Sequence, residues 1–383
     1  MTFQSIKTMA AALAVLSGFA FAQPALGEVK LGSTLAVTGP ASFLGDPEAK
    51  TLKMLVDQVN AAGGINGESV TLIQYDDAAN PNNARTFATR LVEDDEVIAV
   101  IGGSTTGATM AMIPIFEDAE IPFISLAGAV VIIDPVKEWV FKTPHTDRMA
   151  CAKIFEDMQK QGIGKIGMIS GTGGFGKSMR GQCLDIVGDY GIEVVADETY
   201  GAKDADMTPQ LTKIKNSEGV QAVLNPGFGQ GPALVTRNYA QLGMSQPLYQ
   251  SHGVASQSFI DLAGEAAEGV RMAAPSLLVA DSLAADDTQR DVVVAYKQAY
   301  ESETGQPVST FGGYAYDAFM MLKAAIETAG SDDPAAIRDA LEAMQGHVGV
   351  TGEFNFSPDD HLGLDLSAFR MVEVKDGAFV LID

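Results

Sequence analysis

Cysteine is nearly absent from this 383-residue chain, which has two, Cys151 and Cys183. At most one bridge can form, so a disulfide-stapled small fold is excluded, while pairing and two buried free thiols both stay open. Positive charge is scarce too: residues 1–22 hold Lys7 and no acid, and without them 24 basic groups face 49 acidic ones, a net charge of −25. Such a surface repels nucleic-acid phosphates and anionic lipid, which argues against nucleic acid as a partner. An anionic ligand would need donors supplied locally. Beyond the first 22 residues no apolar run approaches the roughly 20 residues a membrane span requires, so no direct membrane insertion is expected.

Catalytic spacings are missing as well. Neither a GxSxG elbow nor an HExxH or CxxC pair occurs, and His145, His252, His347 and His361 are scattered. The nearest approach to a metal cluster, Asp359-Asp360-His361, follows Ser357-Pro358 and reads as a solvated turn. No metal, no cofactor and no enzymatic activity is expected.

What is present begins with an export signal: a single positive charge at Lys7, an apolar run from Met9 to Ala22, and Ala20-Phe21-Ala22 as a small-x-small cleavage site. Cleavage after Ala22 and a periplasmic destination are expected, without a lipid anchor, since no Cys lies beside the site. The remaining length exceeds what one hydrophobic core usually supports, which predicts two domains. Forty glycines and 7% aromatics suit an α/β fold with many strand-to-helix turns.

From Val29 short apolar runs alternate with amphipathic stretches. Strands are predicted at Val29–Leu35, Ser69–Tyr75, Val97–Ile101 and Pro122–Ser125. The first helix between them takes Asp46 as N-cap, Pro47 at its first position and Gly63-Gly64 as its stop. A second series follows Thr143-Pro144, with strands at Lys165–Ser170, Ile192–Thr199, Val220–Asn225 and Pro247–Gln250. The order strand, acidic loop, helix, strand, Gly-rich turn occurs at 69–103 and again at 191–229. Two doubly wound parallel-sheet lobes joined by a multi-crossing hinge are therefore expected. Residues 28–143 plus 280–350 are assigned to lobe 1, and 144–272 plus 354–383 to lobe 2. A ligand would sit in the cleft between them.

Three strand-end turns carry candidate chemistry. Gly171-Thr172-Gly173-Gly174-Phe175-Gly176-Lys177-Ser178 matches the phosphate-cradling GxxxxGK[ST] pattern, and its first six residues match GxGxxG too. One stretch satisfying both patterns points to a Gly-rich turn rather than to a nucleotide, although a nucleotide-binding enzyme using this turn is the alternative reading. Gly102-Gly103-Ser104-Thr105-Thr106-Gly107 lies where a strand ends and a helix begins. Free amides, the positive helix end and the hydroxyls of Ser104, Thr105 and Thr106 together suit a carboxylate, with plain helix capping as the alternative. Ser125-Leu126-Ala127-Gly128-Ala129 adds donors on the same edge.

These segments make the chain similar to the leucine/isoleucine/valine-binding proteins, the type I periplasmic receptors of ABC importers. The resemblance is carried by Thr38-Gly39-Pro40, by Val59-Asn60-Ala61-Ala62-Gly63-Gly64-Ile65-Asn66-Gly67, and by Asp76-Asp77. Val100-Ile101-Gly102-Gly103, Ile121-Pro122-Phe123-Ile124-Ser125 and Val140-Phe141-Lys142-Thr143 continue it across nearly the whole chain after the export signal. It implies a monomer that delivers a small carboxylated ligand to a membrane permease of an ABC importer. The carboxylate would meet Thr106, the backbone around Ser104–Gly107 and Ala127, next to Ser125, while Phe43 and Phe175 cover the ligand from the two lobes. A ligand-presenting partner of a chemosensory receptor is a further alternative.

Two departures bear on the ligand. Ala129 stands where amino-acid-binding members have Thr, and His252 stands where they carry the acid that holds the ammonium. An ammonium buried without a carboxylate partner costs several kcal/mol. An aromatic or 2-oxo acid, with His252 donating to one of its oxygens, is therefore expected in place of an α-amino acid; His252 as a plain structural residue is the alternative.

Overall fold

The computed structural model describes Met1 and residues 27–382, so the expected signal segment lies outside the described residues. The first sheet is built from β1 (Glu28–Leu35), β2 (Ser69–Asp76), β3 (Ala99–Gly102), β4 (Phe123–Ser125) and β5 (Val140–Lys142), in the order β2-β1-β3-β4-β5. All its pairings are parallel. Helices α1 (Ser42–Ala61), α2 (Pro81–Glu93) and α3 (Thr106–Ala119) make its crossovers.

The chain then enters a second unit through α4 (Asp147–Lys160), β6 (Lys165–Gly171), α5 (Gly174–Ile186), β7 (Glu193–Tyr200) and α6 (Thr208–Asn216). Next come β8 (Ala222–Asn225), α7 (Gln230–Gln241), β9 (Leu248–Gln250), α8 (Gln257–Ala263) and β10 (Arg271–Pro275). Helices α9 (Arg290–Thr304), α10 (Thr310–Ala329) and α11 (Pro334–Glu342) follow, then a hairpin of β11 (His347–Val348) and β12 (Glu353–Phe354), and finally β13 (Phe369–Lys375) and β14 (Ala378–Leu381). The second sheet runs β14-β13-β10-β9-β8-β6-β7. It is mixed rather than wholly parallel, because β13 pairs antiparallel with both β10 and β14. A tight two-residue turn joins β13 to β14, and a turn that short can only reverse direction.

One expected boundary is corrected. Helix α1 begins at Ser42, not after Asp46, so Pro47 lies inside it and forfeits one helical amide. Packing holds the extra turn in place: Leu44 is buried, and a methyl group at Gly45 would come within 2.3 Å of the Ala36 carbonyl oxygen. The close seat of helix on strand end outweighs the local signal of Pro47. At the other end Gly63 and Gly64 take positive φ and stop the helix as predicted. Helix α2 starts as the sequence indicates, with the Asn80 side chain accepting from the Asn82 amide.

Cys151 on α4 and Cys183 on α5 form a disulfide, which closes the question the sequence left open. Among the described residues no helix is long and apolar enough to cross a membrane.

Three segments pass between the two sheets: 143–146, 276–289 and 355–368. His145 ties them together. Its Nδ1 lies 3.3 Å from the Tyr314 hydroxyl on α10 and its Nε2 lies 3.1 Å from the Ala368 carbonyl. Its ring stacks on Phe369 with centroids 3.9 Å apart. Thr143 Oγ1 adds a hydrogen bond to the Tyr314 carbonyl.

Candidate ligand-binding site

A cavity of about 390 Å³ lies between the sheets. The β3–α3 turn supplies Ser104, Thr105 and Thr106, and the strand-end loop after β4 supplies Leu126 and Gly128. Phe175 and Phe228 reach in from the second unit, His252 from the turn after β9, and Phe311 and Tyr314 from the first turns of α10. A larger cleft of about 1090 Å³ shares Thr105, Thr106, Phe175 and Phe228 with it and runs past the Gly-rich turns 171–176 and 227–231. The elements meet here because parallel strands end on this edge and the loops that leave them cluster there.

The predicted residues divide. Ser104, Thr105, Thr106, Phe175 and His252 all line the cavity. Ser125 and Ala127 do not: the Ser125 hydroxyl contacts Thr109 Oγ1 at 3.0 Å and accepts from the Ala127 amide at 3.2 Å, so that amide is already occupied. The neighbours on either side of Ala127 point the other way and form the wall. Phe43 stands behind it, packed edge-on against Phe311 with centroids 5.6 Å apart.

Of the three hydroxyls on the β3–α3 turn, two are committed. Thr105 Oγ1 accepts from the Ala108 amide as the N-cap of α3, which is the capping role the sequence left as an alternative. Ser104 Oγ donates to Glu48 Oε2 and accepts from the Ala36 amide at 3.0 Å. Thr106 Oγ1 is buried and has no partner. Buried hydroxyls are nearly always paired, so this one, at the start of α3 where helical amides lack intrahelical acceptors, marks where an acceptor belongs.

His252 shows the same deficit twice, since neither ring nitrogen meets hydrogen-bond geometry with the protein. Its ring packs edge-on against Phe175 and Phe369. Burial, then the charges of His145 and Lys142 if protonated, hold its pKa well below the usual range, so the ring is neutral and carries one donor and one acceptor. Lys142 was not anticipated as relevant. It is fully buried with Nζ unpartnered, and burial, partly countered by Asp147, lowers its pKa to about 7. No acidic side chain lines the cavity.

The phosphate-loop look-alike has a packing explanation. A methyl group at Gly176 would stand 2.2 Å from the Gly171 carbonyl oxygen, so glycine is needed for the turn to close on its own strand end. Lys177 is exposed on the helix that follows. Asp360 and His361 are likewise spent on structure: Asp360 Oδ1 accepts from the Leu362 and Gly363 amides, and the His361 ring stacks on Phe141.

Glu48 links the site to the pH dependence of stability. Burial, opposed by the Ser104 hydrogen bond and assisted by Asp77, raises its pKa from 4.5 to about 8. Burial likewise raises Asp77 to about 6 and Asp317 to about 7. A raised folded-state pKa means the native protein binds more protons, so this stabilisation is complete below about 4.5 and drains away as pH rises to 8. Lys142 acts in the opposite sense between pH 7 and 10.5, and so do the buried His145 and His252, whose lowered pKa values make the protein gain stability as pH rises to 6.5. Measured against Glu48→Gln, which keeps the bond from Ser104, the unmodified protein is therefore expected to lose thermal midpoint from pH 5 to pH 8. A difference in midpoint between the two proteins that stays constant across this interval would contradict the assignment.

Comparison with known proteins gives the family. The family model described as periplasmic binding protein matches residues 28–378. The leucine-, isoleucine-, valine-, threonine- and alanine-binding protein of Pseudomonas aeruginosa is 28% identical over 344 residues, covering 89% of this chain and 88% of its own. The Leu/Ile/Val-binding protein of Escherichia coli is 27% identical over 339 residues, covering 87% and 88%. Among solved structures, an extracellular ligand-binding receptor from Rhodopseudomonas palustris HaA2 superposes with a TM-score of 0.87 at 29% identity, over 93% of this chain and all of that one. The chain belongs to the periplasmic binding protein family, in the branch of the leucine/isoleucine/valine-binding proteins.

Proposed function

We propose that the chain is the extracytoplasmic receptor of an ABC-type importer and that its ligand is a small carboxylate without an amino group, an aromatic or a 2-oxo acid. The carboxylate accepts from Thr106 Oγ1 and the first-turn amides of α3. Phe175, Phe228 and Phe311 pack on the apolar part, with Phe43 supporting Phe311 from behind, and His252 donates to a further oxygen. The observation that carries this reading is the pairing of unpartnered donors at Thr106 and His252 with a lining that holds no acid. The amino acids in the relatives' names need a partner for their ammonium, and this lining offers none.

In this reading lobe 1 comprises 28–143 plus 280–350 and lobe 2 comprises 144–272 plus 354–383. The protein works as a periplasmic monomer, with cleavage after Ala22. Binding favours the closed arrangement because only there do both lobes touch the ligand. Titration calorimetry with benzoate, 4-methyl-2-oxopentanoate, leucine and glutamate tests the assignment. One of the first two is expected to bind at least about tenfold more tightly than either amino acid, a difference of about 1.4 kcal/mol. Tight leucine binding would overturn it.

A further inference from the structure

We propose that Tyr314 determines specificity by accepting, and never donating, a hydrogen bond in the cavity, so that the favoured ligand carries a hydroxyl aimed at it. The inference rests on the carboxylate reading above and narrows it. It follows from the direction of a hydrogen-bond chain that leaves the cavity through the hinge.

The chain is fixed at its far end. A carbonyl oxygen can only accept, so His145 Nε2, 3.1 Å from the Ala368 carbonyl, must carry a proton. Burial outweighs the carbonyls of Ala368 and Thr351, is reinforced by the charge of Lys142, and brings the His145 pKa down to about 3. The ring is therefore neutral and its single proton is on Nε2. Nδ1 is then bare, and the Tyr314 hydroxyl, 3.3 Å away, must be the donor. Burial also keeps that phenol protonated. A phenol has one proton, and this one points into the hinge. Tyr314 also lines the cavity, and a ligand group that reaches its hydroxyl oxygen meets a lone pair.

A buried acceptor calls for a donor on the ligand. A cationic donor is disfavoured, because among the described residues no acid lines the cavity. An uncharged hydroxyl meets both conditions. It can give its proton to Tyr314 while its own lone pairs remain free for the N–H of His252.

The test is calorimetry on the full chain with benzoate, 3- and 4-hydroxybenzoate and their methyl ethers. A parallel pair, 4-methyl-2-oxopentanoate and 2-hydroxy-4-methylpentanoate, covers the aliphatic alternative. At least one hydroxylated acid is expected to bind about tenfold more tightly than its parent. Its methyl ether, which accepts but cannot donate, should lose that gain, and in Tyr314→Phe the ratio of hydroxylated to parent acid should fall to near one. A parent acid that binds without any hydroxyl advantage, or an advantage that survives in the ether or in Tyr314→Phe, overturns the inference and leaves the carboxylate reading standing. Failure of every acid to bind overturns both. Nitrogen-15 NMR of the ligand-free protein gives an independent reading: a proton on His145 Nδ1 would break the chain at its origin, and a proton on Nε2 alone supports it.

Discussion

Replacing His252 with Glu is expected to reverse the cavity's preference, from acids without an amino group to leucine-like amino acids. His252 is neutral and buried, with the His145 carbonyl near its ring but neither ring nitrogen in full hydrogen-bond geometry. A glutamate of similar reach there would put a second anion beside the ligand carboxylate, and a benzoate or 2-oxo acid brings nothing to neutralise it. Leaving one member of a buried charge pair without its partner costs about 3–5 kcal/mol, equivalent to a loss of at least about 100-fold in affinity. An α-amino acid would carry the missing ammonium and gain where the others lose. Competition calorimetry on His252→Glu reads both changes at once. Circular dichroism checks that the variant is folded, and His252→Gln serves as the uncharged control that weakens binding without reversing it. Unchanged preference in a folded Glu variant would remove His252 from the site.

Loss of the Cys151–Cys183 bridge is the largest stability effect expected. The cysteines are 32 residues apart and join α4 to α5 across one face of the second sheet. Constraining a loop of that length lowers the entropy of the unfolded chain enough to stabilise the fold by about 3–4 kcal/mol. Cys151→Ala with Cys183→Ala should lower the denaturant midpoint accordingly, with the second unit losing structure first. Both cysteines are fully buried, so a reducing agent should act on the native protein only as fast as it opens. Equal midpoints for the variant and the parent would show that the bridge adds nothing to the native state.

The two-unit plan was legible because strand ends, Gly turns and amphipathic helices recur twice in the same order, and tertiary packing moved only a few boundaries. The start of α1 was misplaced for a nameable reason. Pro47 is a strong local signal for a helix start, whereas the seating of Gly45 against Ala36 is a contact between elements that no local pattern encodes. The antiparallel pairing of β13 with β10 was hidden for a similar reason, since partners so far apart in sequence leave no periodicity.

The site was half visible. Thr106, Phe175 and His252 could be placed from strand-end turns and the family resemblance. Phe228 was within reach of the same rule, because it follows the end of β8 on the same edge. Phe311 and Tyr314 were not, because they belong to a helix that returns to the cleft nearly 60 residues after His252. Ser125 and Ala127 lie off the cavity wall for a reason local to the turn: the Ser125 hydroxyl takes the Ala127 amide, and the neighbours Leu126 and Gly128 form the wall instead.

The start of α5 lies directly opposite the start of α3, close enough that a methyl group on Gly174 would stand 3.7 Å from the Gly107 nitrogen. Each helix start behaves as a fractional positive charge of about half a unit, and neither has an acidic residue in its first turn to cancel it. An empty receptor that shuts therefore presses like poles together, and a bound anion works as the magnet's keeper between them. In the proposed transport role this means that a receptor without cargo springs apart of its own accord and leaves the docking site on the importer to loaded copies.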